Sequence, residues 1–157
     1  MVEHDQGQDA GRGDTAWQPR ADGARRPGRV RLGMLPTWTA AWQARRALSR
    51  LDLPPPIAQT GALLVSELVT NSVRHAGLAP GQRIQLTADW SGTRLKVHVR
   101  DGVRGRGARP TAVSGSIRPT PGGESGWGLY LVDRLASRWG LDAGGYWFEL
   151  RNDPPPG

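Results

Sequence analysis

Glu67, Asn71 and His75 stand four apart in the run ELVTNSVRH. On a helix that spacing puts all three on one face. A carboxylate and a carboxamide placed this way can converge on one small site. The Asn carbonyl is a hard oxygen suited to Mg²⁺, which prefers oxygen ligands and keeps several waters. The Glu could take a proton from an attacking hydroxyl or water. A solvated polar face with a hydrogen-bonded pair is the plain alternative. Asp101 closes the run Val97-His98-Val99-Arg100-Asp101-Gly102. An acid at the end of a buried strand, beside glycine, can accept hydrogen bonds from a ligand amine, that of adenine among them; a turn aspartate capping its own loop is the alternative.

Gly126 and Gly128, in Glu124-Ser125-Gly126-Trp127-Gly128-Leu129, sit where a loop enters a helix. Exposed N–H groups and the helix dipole favour phosphate there, and glycine lets the backbone come close. A flexible helix entry would read the same way. The run is not a phosphate loop of the Gly-Lys-Ser/Thr kind, and it lacks the third glycine and preceding strand of a dinucleotide fingerprint. His4, His75 and His98 fall in different kinds of segment, so no zinc set is expected.

The elements that would position these groups can be read from periodicity. Residues 30–35 alternate as a short strand. Residues 37–51 repeat apolar groups at helical spacing, with Trp38, Ala41/Trp42, Leu48 and Leu51 on one stripe. Leu53-Pro54-Pro55-Pro56 ends that helix and starts another, from Ile57 to about Ala76, closed by Gly77. Gly61 inside it suggests close backbone packing. Residues 83–90 and 95–101 alternate in period two around Ser91-Gly92, which reads as a hairpin. Residues 102–123 carry six Gly, three Pro and four Arg (Arg104, Arg106, Arg109, Arg118), too long for an ordinary connection. A third helix is expected from Leu129 to Trp139, ended by Gly140, and a last strand over 146–150. Most tryptophans fall at expected core positions; Trp127 could line the loop mouth. The order β-α-α-β-β-loop-α-β predicts an α/β two-layer sandwich, its helices on one face of a mixed, mostly antiparallel sheet.

Composition narrows the classes. The chain has 157 residues, no Cys and a net charge of +7, and all but one of its 21 basic residues are Arg. Without cysteine there is no disulfide framework, thiolate zinc site or cysteine nucleophile. No apolar run is long enough for a membrane helix, and residues 1–14 have no signal-peptide apolar core, so a cytoplasmic setting is expected. Residues 1–29 hold five Arg and five acids with almost no large apolar residue, and read as a disordered tail. That leaves one domain over 30–152 and a short tail at 153–157. The excess charge suits an anionic ligand without choosing which. Arg104-Gly105-Arg106 loosely matches a minor-groove hook, but a basic loop over a ligand accounts for the same residues, and nucleic acid is not the expected partner.

Taken in order, Glu-x-x-x-Asn-x-x-x-His on a helix, a strand ending Asp-Gly, a Gly-rich loop and Gly-x-Gly-Leu-x-Leu-Val resemble the GHKL, or histidine-kinase-like, ATPases with their Bergerat ATP-binding fold. The short single-domain form is similar to the anti-sigma-factor serine/threonine kinases. The resemblance implies Glu67 as general base and Asn71 as holder of Mg²⁺ on the phosphates of ATP. It implies Asp101, with Gly102, at the adenine amine. His75 and the run Gly126, Trp127, Gly128 and Leu129 would complete the nucleotide site, beneath a lid formed by 102–123. It further implies a sigma factor or an anti-anti-sigma (STAS-type) protein as partner, the latter phosphorylated on Ser or Thr; such kinases often form homodimers. The family's Asp-x-Gly is here Asp101-Gly102-Val103. The alternative function is a nucleotide-gated binding module without phosphate transfer. No long phosphoacceptor helix precedes the domain, so a histidine kinase is not expected.

Overall fold

In the computed structural model, described over residues 25–101, 127–142 and 144–153, the elements are β1 (Gly28–Met34), α1 (Ala40–Leu48), α2 (Pro55–His75), β2 (Ile84–Trp90), β3 (Arg94–Arg100), α3 (Trp127–Leu135), β4 (Arg138–Asp142) and β5 (Gly145–Arg151). The strands form one sheet in the order β1-β2-β3-β5-β4. Every described pairing is antiparallel, which corrects the expected mixed sheet. Tight turns join β2 to β3 and β4 to β5, and a pair of helices rather than a single crossover joins β1 to β2. No parallel βαβ unit is therefore formed.

Alternation sets the two faces. Ile84, Leu86, Ala88 and Trp90 are buried, as are Leu95, Val97 and Val99, and they meet Phe148 and Leu150 in one core beneath the helices. The residues between them turn to the open face. There His98 Nε2 lies 2.9 Å from Asp142 Oδ1. Burial lowers the His98 pKa, against the opposing pull of Asp142, so the imidazole is neutral at pH 7. Gly145 closes the β4–β5 turn at φ +153°, and a Cβ there would overlap the Val99 carbonyl oxygen. Gly145→Ala is therefore expected to destabilise the fold by roughly 3 kcal/mol, read from the urea midpoint; a loss under about 0.5 kcal/mol would contradict this packing.

The prolines at its first turn and Gly77 at φ +57° bound α2, close to the predicted limits. Gly61 does mark a close approach, because a Cβ there would stand 3.0 Å from Leu95 Cδ2. Three expectations are corrected. First, α1 is shorter than predicted and packs through Ala40, Ala44, Ala47 and Leu48, so Trp38 and Trp42 are exposed rather than in the core. Alanines bring α1 close to its neighbours and leave no room for an indole between them. Second, the third helix ends at Leu135, not at Trp139. Trp139 and Gly140 belong to β4, a strand absent from the predicted order, with Trp139 opposite Phe148. The Ser137 N–H donates to the Glu149 carbonyl and turns the chain into the sheet, while the missing Cβ of Gly140 leaves space for the Trp147 ring. Third, β1 begins at Gly28, inside the segment assigned to the tail. Just before it, Arg25 Nη1 lies 2.8 Å from Asp52 Oδ1 and the Arg26 N–H donates to Oδ2. The rest of the tail, residues 1–24, and residues 154–157 lie outside the described residues.

Candidate functional site

The second half of α2 gathers the site. Its buried side, Leu64, Val65, Leu68 and Val69, is fixed in the core, which turns Glu67 and Asn71 to the neighbouring flank, where both are half-buried. The start of α3 lies directly on that flank. A Cβ added to Gly128 would come within 2.7 Å of Glu67 Oε2 and 3.3 Å of Glu67 Cβ. A side chain there would push the Glu67 carboxylate aside, so the helix motif and the glycine motif, far apart in the chain, meet at one place.

The end of β3 reaches the same helix one residue further on. The Ser72 hydroxyl donates to Asp101 Oδ2 at 3.3 Å. Both residues are buried, with Asp101 only 2% exposed. Ser72 is thus a site residue that the motif reading missed. Its signal in the sequence was a hydroxyl on the apolar stripe of Val65, Leu68 and Val69, but its partner lies on another element and no spacing rule finds it.

Asn71 Nδ2 is buried and has no hydrogen-bond partner among the described residues. A buried donor left this way costs about 1–3 kcal/mol unless something accepts from it, and a phosphate oxygen would. The other end of the same carboxamide is an oxygen of the kind Mg²⁺ takes. The residues present therefore fit a magnesium–phosphate group. Among the described residues no cluster of three His, Asp or Glu could hold a metal ion; a metal held mainly by phosphates, waters and one Asn needs none. The first turn of α3 has no acidic residue of its own, and its N-terminal N–H groups form the positive end of a helix dipole.

The remaining predicted residues are placed as follows. Trp127 opens α3, is 53% exposed, and meets Tyr130 edge-on with ring centroids 5.8 Å apart. Leu129 is half-buried against the core. His75 is the last residue of α2 and is exposed. Gly102, Gly126 and the lid at 102–123 with its four arginines lie outside the described residues. No helix among the described residues is long and apolar enough to cross a membrane.

This arrangement offers a proton acceptor, a hard oxygen ligand, a buried hydrogen-bond acceptor for an amine, and a helix end for phosphate. Residues 32–150 match the family model of the histidine kinase-like ATPase domain. No curated protein matches the chain.

Proposed function

The chain belongs to the histidine kinase-like ATPase domain family, and from that premise we propose that it binds Mg-ATP and transfers the γ-phosphate to a Ser or Thr hydroxyl of a protein partner. The observation that carries this reading is the packing of Glu67 directly on Gly128, which sets a proton acceptor beside the helix end that would receive phosphate.

Each residue then has a task. Asp101, positioned by Ser72, accepts the N–H of the adenine amine. The bare backbone at Gly128 and the N-terminus of α3 receive phosphate oxygens. Asn71 would hold Mg²⁺, which when bound neutralises charge on the polyphosphate. Glu67 takes the proton of the acceptor hydroxyl. The hydroxyl oxygen bonds to the γ-phosphorus as the bond from phosphorus to the β–γ bridging oxygen breaks, and ADP leaves with that oxygen. Such a transfer depends on positioning and charge neutralisation more than on covalent catalysis by the protein.

The likeness of its motifs to those of anti-sigma-factor kinases supports an anti-anti-sigma protein as the phosphate acceptor and a sigma factor as the second partner. A second reading, nucleotide-gated binding without transfer, is favoured by the departure of the sequence Asp101-Gly102-Val103 from the family's Asp-x-Gly. Both readings require the nucleotide site. Calorimetric titration of ATP with and without Mg²⁺ tests it. Wild type is expected to bind more tightly with the metal, and Asn71→Ala to lose about tenfold or more of that affinity. Absence of heat with ATP in wild type would overturn both readings.

A further inference from the structure

Trp38 is 91% exposed, Trp42 52% and Leu35 44%. All three lie where β1 passes into α1. Burying such a side chain is worth about 1.5–3 kcal/mol, and contiguous exposed apolar groups mark interaction sites. The surface also has shape. Trp42 forms a ridge between two hollows. One, of about 540 Å³, is lined by Trp38, Thr39, Ala41 and Arg45. The other, of about 190 Å³, is lined by Leu32, Arg46 and Arg50 among others.

The charge around the ridge is of one sign. Residues 30–51 contain four Arg and no Asp or Glu. Arg45 Nη1 donates to Ser66 Oγ at 2.9 Å, which fixes it beside the larger hollow. The Arg46 guanidinium stacks on Trp42, 5.4 Å from the ring centroid. Neither Arg46 nor Arg50 has an ion pair among the described residues. A second copy of the chain is a poor occupant, because a two-fold interface sets each patch against itself and would face guanidinium with guanidinium. A lipid surface is also a poor fit, since it engages a projecting ridge and gains nothing from two hollows.

We propose that this face docks an acidic amphipathic helix of another protein. Two apolar side chains, three or four positions apart, fill the hollows on either side of Trp42. Carboxylates flanking them pair with Arg46 and Arg50. Glu67, Asn71 and Asp101 line neither hollow, and the proposal does not depend on phosphate transfer.

The probe is a designed 20-residue Glu/Leu amphipathic helix, compared with its Lys/Leu counterpart on the full chain by calorimetry. The acidic peptide is expected to bind at least about tenfold more tightly at low salt. Trp38→Ser and Arg46→Glu are each expected to weaken it about fivefold or more without changing ATP affinity. Equal affinity for the two peptides, or no binding of the acidic one, overturns the proposal. So does a dimer in sedimentation that Trp38→Ser dissolves, which would make a second copy the occupant. Binding to phosphatidylglycerol vesicles in preference to the acidic peptide overturns it as well.

Discussion

In Glu67→Gln, phosphate transfer to a protein hydroxyl is expected to fall by about 10²–10⁴-fold, the usual worth of a positioned general base. ATP affinity should change by less than about threefold, because the substitution keeps the shape that packs on Gly128. The exchange removes the proton acceptor and little else. Single-turnover transfer from labelled ATP to a candidate partner, measured beside nucleotide binding, separates the two quantities. If transfer persists at wild-type rate, Glu67 is not the base. If neither protein labels any partner while both bind ATP, the binding-module reading stands in place of the kinase.

Asp101→Asn is expected to weaken ATP binding by about tenfold or more. The carboxylate is buried and receives a hydrogen bond from Ser72. An amide with its N–H₂ toward the Ser72 hydroxyl, which can accept, keeps one oxygen for the ligand amine but loses the negative charge that strengthens that bond; turned the other way, it sets two donors face to face. A site built to bond one polar group rejects its mismatch strongly, because the buried partner is left unsatisfied. The same reasoning predicts that wild type prefers ATP to GTP, whose carbonyl at the corresponding position would face the carboxylate. The check is competition binding with both nucleotides. Equal affinity of wild type for ATP and GTP would remove Asp101 from the base pocket.

How much of this could be read from the chain alone depended on the range of each interaction. The four-residue spacing of Glu67 and Asn71 and the alternation of Leu86, Ala88, Val97 and Val99 are local, and they gave α2 and the β2–β3 hairpin directly. Strand β4 was hidden because Val132, Leu135 and Trp139 also fit a helical stripe. Only pairing with β5 makes Trp139 a strand residue. Helical spacing likewise grouped Trp38 and Trp42 with the apolar face of α1. It could not show that the alanines, not the indoles, meet the core. At the site, the motif order singled out elements that the fold brings into contact. The approach of Gly128 to Glu67 and the bond from Ser72 to Asp101 join residues brought together only by tertiary packing.

Strand β5 is the last described element, yet it lies inside the sheet between β3 and β4. Its place has a consequence for biosynthesis. While a ribosome is still translating the segment before residue 145, β3 has an unpaired edge and β4 has no strand to lie on. Since α3 leads into β4, α3 would then rest on α2 through its own packing, that of Val132 included, without the sheet edge beside it. A chain released early, though it carries Glu67, Asn71, Asp101 and Gly128, would lack Phe148 and Leu150 and would expose the apolar face they cover to degradation.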